Sequence, residues 1–393
     1  MLKGAAGRYS LAYLALFAIY GIVSPYLPVL LRGLGYGPAA LGLLLALFEV
    51  AGIIGPLVLT AGADARSRGG GSGSRPLLAG TALCVLASLP GLALPLGPAA
   101  TALSLVLLAL GLKTMVPLMD ALVSSYAASR GPALRGGYGR IRAPGTLGFI
   151  AAALALQAAP AAVSSSPPVL AACMGLATLA FLAAALALPA PPASAGPSPA
   201  GRAPKRRADP AFALGIAIIA LNRMSMAPIN SFLALYAKED LGLDAAGAIW
   251  AISASAEIPF MLAAGRFIAR RGPMPTIALS SVAIVARLAL YTIFPSFGGI
   301  AAAQLLHSLC YGLYLPAAIR FVAERFPPER QATGMAIYMG AGVGLPAVLG
   351  SAIGGYVVEA WGYTTLFLSF TLFALASLAL WAGTRARFER SAA

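Results

Sequence analysis

Stretches of about 20 apolar residues follow one another along the whole chain, separated by short breaks rich in Gly, Pro and Arg. As α-helices rising 1.5 Å per residue, such stretches match the ~30 Å hydrocarbon core of a bilayer. The pattern predicts spans at 10–31, 39–61, 76–96, 100–127, 142–160, 168–189, 211–236, 246–268, 274–295, 299–323, 332–354 and 362–383. The first, starting near Tyr9, is too long for a cleavable signal and lacks a small-residue cleavage site, so it counts as a spanning helix. Between the sixth and seventh lies "PAPPASAGPSPAGRAPKRRADP", too rich in Pro, Ser and Ala to pack, which reads as a linker. The expected fold class is an all-α polytopic membrane protein with twelve transmembrane helices in two pseudo-symmetric bundles. Its domains are an N-terminal six-helix bundle at 1–189, a linker at 190–210 and a C-terminal six-helix bundle at 211–393.

Composition agrees with a lipid-facing surface. Of 393 residues, 60% are hydrophobic and 10% charged, where a soluble domain carries about 25% charged residues. The three cysteines, Cys84, Cys173 and Cys310, all lie in apolar stretches, which argues against a disulfide framework or a metal site. With one histidine, no Ser/His/Asp constellation and no nucleotide-binding loop, the chain is not expected to be an enzyme or to hold a metal or cofactor. The run "RGGGSGS" after the second span is flexible low-complexity sequence.

Charge sets the expected orientation. Of the 27 basic residues, 21 fall in the termini, the linker and alternate loops that share one side, whereas the opposite side has only Arg32 and Lys238. The positive-inside rule then places both termini and the linker in the cytoplasm of a multi-pass protein of the cell (inner) membrane. This bias explains the net charge of +15, so nucleic acid is not an expected partner.

Charges inside the spans are more informative, because each costs about 3 kcal/mol in lipid unless it is paired or faces water. Four bases (Lys113, Arg142, Arg223, Arg287), three acids (Glu49, Asp120, Glu257) and His307 lie there. They are spread over both halves, which suits a central polar cavity better than a local structural pair. Lys113 precedes Asp120 by two helical turns on one face, and pairing with Asp120 or with Glu49 is open. His307 shares its face with Tyr311 and Tyr314. Tyr9, Tyr13, Phe17 and Tyr20 form an aromatic stripe that suits helix packing or stacking on a ring. Asn222 and Asn230 share a polar face on the seventh span.

The two halves repeat weakly: "LGYGPAALGLLLALFEV" and "LGLDAAGAIWAISASAEI" occupy matching places, each ahead of a basic loop. Two six-helix halves with a cytoplasmic linker resemble the layout of major facilitator transporters, whose binding site lies near mid-membrane between the halves. "PLMDALVSSYAASRGPALRGGYGRIRAPGTLGF", "AIVARLAL" and "AQLLHSLCYGLYLPAAIRFVAERF" make the chain similar to the phenylpropionate permease group and, more distantly, to lactose permease. That resemblance implies that Asp120 and Arg142 hold substrate, and that Arg287 and His307 match a proton-coupling cluster. Cys310 stands where lactose permease has an acid, and Glu257 lies about one turn from its functional acid on the eighth span. "TAGADARSRG" retains Asp64 and Arg68 of a gating signature, and "GRFIARRG" has Ala269 at the acid position.

The resulting expectation is a monomeric alternating-access transporter of a small polar organic solute, working by proton symport with the proton gradient as its energy source. Its partners are the small-molecule substrate, protons and the lipid bilayer. Asp120, Arg142, Arg287, His307, Tyr311, Tyr314, Tyr20, Lys113 and Asn222 are the expected substrate-binding residues. Proton coupling is expected at Glu257, Glu49 and Asp120, and gating at Asp64 and Arg68. The charged form of Glu257 is disfavoured in an apolar helix, which makes it the preferred proton carrier. Four bases against three acids favour an aromatic carboxylate, with sugars next. The alternatives are a proton-antiport exporter of drugs or sugars and, in another class, a non-transporting membrane sensor.

Overall fold

The computed structural model describes residues 4–68, 74–129, 137–159, 166–189, 209–327 and 330–390. Among them every regular element is helical: α1 (Ala5–Gly33), α2 (Pro38–Arg68), α3 (Ser74–Ala93), α4 (Pro98–Ser129), α5 (Gly137–Gln157), α6 (Pro167–Leu186), α7 (Pro210–Glu239), α8 (Ala246–Arg271), α9 (Pro273–Ile293), α10 (Phe297–Leu305), α11 (Tyr314–Arg325), α12 (Gln331–Ile337) and α13 (Leu345–Arg390). π-Helical turns at Ser308–Leu313 and Tyr338–Gly344 join α10 to α11 and α12 to α13. Of the predicted linker, residues 190–208 lie outside the described residues.

Among the described residues, ten helical stretches are long and apolar enough to cross a membrane. The last, Thr333–Phe388, has 56 residues, about 84 Å of helix and more than twice a bilayer core. Gly362, at φ 78° and ψ 175°, breaks it where two spans are expected to meet. α5 is not among the ten; it carries Arg140 and Arg142 in its first turns. The expected count of twelve is compatible with this arrangement.

Large apolar side chains point outward, as a lipid solvent requires. Leu262 is 83% exposed, Leu176 69% and Trp361 68%, an inversion that would be an aggregation surface in water. The interior instead gathers polar side chains, including Arg287, Asn222, Ser225 and Ser281 at 0% exposure.

The described chain divides into two compact units. The first comprises Met1–Tyr36, Leu47–Ser198 and Asp244–Ala251. In it α1 packs mainly on α5, and a Cβ at Gly148 would collide with the Leu14 carbonyl, so glycine permits the close approach. Gln157 on α5 binds the start of α8: its side chain donates to the Asp244 carbonyl and accepts from Ala248 N. The second unit comprises Gly37–Ala46, Pro199–Leu243 and Ile252–Ala393, with α7 packed on α13 and α9 between α13 and the α10–α11 span. There the Glu359 carboxylate accepts from Ala39 N at 2.9 Å, satisfying an amide at the start of α2.

Candidate functional site

Each unit assembles its own charged cluster. In the first, Asp120 on α4 and Arg142 on α5 approach to 3.6 Å between Oδ2 and Nη1. Tyr13 on α1 donates its hydroxyl to Asp120 Oδ1 at 2.5 Å. The Arg142 guanidinium lies 5.5 Å from the Phe17 ring centre, so α1 braces both members of the pair. Lys113, one of whose partners was open in the sequence, takes Glu49: Nζ lies 3.1 and 3.3 Å from the carboxylate oxygens. Gly52 makes room for the lysine stem, since a Cβ there would stand 2.9 Å from Lys113 Cγ. Tyr20 donates to the Leu112 carbonyl at 3.1 Å, one residue before that lysine.

These four charged side chains keep between 27% and 36% exposure although they belong to apolar helices. They are therefore partly accessible within the unit, and their two acids balance their two bases. Tyr9 and Tyr13 are buried and pack in the helix interior, the stripe's packing alternative.

The second unit carries a chain of contacts across α8, α9 and the α10–α11 span. Glu257 Oε1 lies 3.0 Å from His307 Nε2, and His307 Nδ1 lies 3.1 Å from Arg287 Nη1. A guanidinium can only donate, so Nδ1 must accept and Nε2 must carry the proton that faces Glu257. The contacts thus select one neutral imidazole tautomer. Arg287, fully buried, also donates to Gln304 Oε1 at 2.5 Å and to the Tyr291 hydroxyl at 3.2 Å. Ser253 shares the same Gln304 oxygen at 2.8 Å.

The π-turn alters the face expected from α-helical spacing. Tyr311 is 43% exposed and stacks on His307 at 5.6 Å, whereas Tyr314 is buried at 1% and lies beneath Arg223. Asn222 is likewise sealed, with its amide oxygen on Arg223 and its Nδ2 donating to Ser281 Oγ at 2.7 Å. Among the intramembrane charges of this unit, two guanidinium groups, Arg223 and Arg287, stand against one carboxylate, Glu257. The positive excess that the sequence showed only as a total belongs here. The side chains of Asp64 and Arg68 lie outside the described residues.

Sequence reasoning assigned no role to Arg223, Gln304, Tyr291, Ser253 or Glu359, and saw Tyr13 only as part of a stripe. Prolines were an unused signal. Pro117, Pro144 and Pro259 sit within three residues of Asp120, Arg142 and Glu257, where a missing backbone N–H opens the helix ladder beside a polar group. A surface concavity lies elsewhere, at the end of α8 among Arg266, Phe267, Arg270 and Arg271. It touches none of the intramembrane charges.

Residues 7–369 match the MFS_1 like family. The chain is 29% identical over 269 residues to the maltose permease of Geobacillus stearothermophilus, covering 68% of this chain and 67% of that protein. It is 32% identical over 151 residues to the uncharacterized transporter YwbF of Bacillus subtilis (strain 168), a match that spans 38% of this chain and 37% of that one. Among solved structures, a point variant of the nucleoside transporter NupG aligns with a TM-score of 0.81 at 19% identity, over 96% of this chain and 99% of that one. The chain belongs to the MFS_1 like family and is a membrane transporter of the major facilitator type, not an enzyme.

Proposed function

We propose that this chain moves a small polar organic solute, an aromatic carboxylate or a sugar-like molecule, into the cell by alternating access coupled to proton entry. The observation that carries this reading is the contact chain Glu257–His307–Arg287. Glu257 is the one carboxylate on it, so protonating Glu257 removes the negative charge that offsets Arg287 through His307. Substrate then stabilises the protonated arrangement, and loss of the proton favours release. Asp120 and Arg142 serve as the second substrate contact, with Tyr20 and Lys113 beside them; Glu49 neutralises Lys113. Similarity to a maltose permease and a nucleoside transporter supports a ring-bearing polar solute. The resemblance of the α4–α5 and α9–α11 segments to phenylpropionate permeases, with the positive excess in the second unit, supports a carboxylate.

The test uses proteoliposomes containing wild type or Glu257→Gln, supplied in turn with labelled 3-phenylpropionate, maltose and uridine. Glutamine holds the neutral form at nearly constant shape. Exchange of the transported solute should persist in the variant while uptake driven by a pH gradient is lost. Uphill accumulation by Glu257→Gln would remove Glu257 as the proton site.

A further inference from the structure

Arg223 is 7% exposed, yet none of its contacts is a carboxylate. Its Nε donates to Asn222 Oδ1 at 2.9 Å, and its Nη2 donates to the same oxygen and to the Cys310 carbonyl, 3.0 Å away. One face of the guanidinium lies 3.6 Å from the Tyr314 ring centre. Carbonyl dipoles and a ring quadrupole orient a cation but supply no countercharge. The other intramembrane bases are served differently: Lys113 meets Glu49, Arg142 meets Asp120, and Arg287 reaches Glu257 through His307.

The remaining donor decides what Arg223 is built for. Nη1 makes no hydrogen bond among the described residues. Nor is it sealed in: the fully covered side-chain polar atoms without a partner are Arg75 Nε and Arg287 Nε. Beside it stands the half-exposed Tyr311 ring, 5.9 Å from the guanidinium. Behind it, Asn222 is held by Ser281, Ser281 by Ser377 at 3.1 Å, and Ser377 by the Ile218 carbonyl at 2.9 Å. This relay directs Asn222 Oδ1 at the arginine and fixes the guanidinium plane. An arginine serving as internal glue would spend its donors and have its charge offset. Here one donor and the charge are both left over, next to an aromatic surface.

We propose that Arg223 binds the carboxylate of an organic anion whose apolar part lies along Tyr311, and that Asn222 is its positioning residue. Guanidinium is the suited group, because its charge persists in a dry site and its Nη1 can donate to a carboxylate oxygen while Nε and Nη2 stay on Asn222 and the Cys310 carbonyl. The inference rests on reading the chain as a transporter of small polar organic solutes, and it commits that reading to anions.

Ligand-dependent thermal stability of the purified full-length protein in detergent tests it, with 3-phenylpropionate and its neutral amide as paired probes. Wild type should bind the carboxylate at least tenfold more tightly than the amide. Arg223→Gln should abolish that preference while leaving amide binding within about twofold. Arg223→Lys keeps the charge and tests the idea if glutamine is not tolerated; its preference should fall at least threefold. Asn222→Ala should also reduce the preference, which a merely structural loss would not do, since it would weaken both probes alike. Equal binding of acid and amide by wild type, or full preference in Arg223→Lys or Arg223→Gln, overturns the proposal. Proton-driven uptake of maltose or uridine by wild type alongside such a result would leave the transporter reading standing. Uphill accumulation by Glu257→Gln would instead strike the proton-coupling part of that reading and leave the Arg223 result untouched.

Discussion

Lys113 and Glu49 offer a direct measure of how the first unit handles charge. Both side chains are about 30% exposed, so their attraction is screened and worth on the order of 1 kcal/mol. Removing either charge leaves the other without its partner in an otherwise apolar helix pair. Lys113→Gln and Glu49→Gln should each lower the melting temperature in detergent, and the double variant should lie above the additive value. Additive losses would mean that the two groups act independently. Asp120 differs, because Tyr13 and Arg142 share it. Its carboxylate is held from two helices, which explains how a partly accessible charge keeps one orientation.

Helix ends and interruptions carry the next level of control. α7 starts at Asp209, whose carboxylate accepts from Ala211 N at 2.9 Å, with Pro210 in the first turn. Its other oxygen meets Arg325 Nη1 at 2.9 Å, at the end of α11. Partial burial opposes the charged form, but the Arg325 and backbone hydrogen bonds prevail, so its pKa lies below the ordinary 3.8. A depressed acid contributes stability that is complete above the unfolded value and disappears as pH falls through the folded one. Asp209→Ala should therefore cost about 1 kcal/mol near neutral pH, and the difference from wild type should shrink in thermal scans as pH falls below the ordinary carboxylate value of 3.8. A constant difference across that range would assign the effect to packing. The π-turn at Ser308–Leu313 works differently: it turns Tyr311 outward and Tyr314 inward, and it leaves the Cys310 carbonyl available to Arg223.

For the molecule entire, we propose an orientation set by charge placed far from the two charged clusters. We propose two halves, 1–189 and 211–393, joined by a cytoplasmic linker at 190–210, with both termini on the same side. Lys and Arg are retained on the cytoplasmic face during insertion, and the strongest such cluster is Arg202, Lys205, Arg206 and Arg207. A single cysteine in a cysteine-free background, Ser194→Cys, should resist a membrane-impermeant maleimide in intact cells and react after permeabilisation. Labelling from outside would invert the topology and, with it, the direction assigned to the proton.

The spans and the family-level architecture were legible because both depend on local quantities: apolar length against bilayer thickness, and the sign of charge in each loop. Glu49, Asp120, Arg142, Glu257 and His307 were legible as candidates for the same reason, since a charge in an apolar run is conspicuous on its own. Which charge meets which was decided only in three dimensions. Lys113 turned to Glu49 on α2, although Asp120 lay on its own helical face, because partner choice depends on interhelical distance rather than spacing. Tyr314 and Asn222 were expected to line a site and are buried at 1% and 0% instead. For Tyr314 the cause is the π-turn, which departs from the 3.6-residue period that the sequence argument assumed. For Asn222 it is the serines of α9 and α13, remote in sequence and adjacent in space, that draw its amide inward and leave its Oδ1 on Arg223.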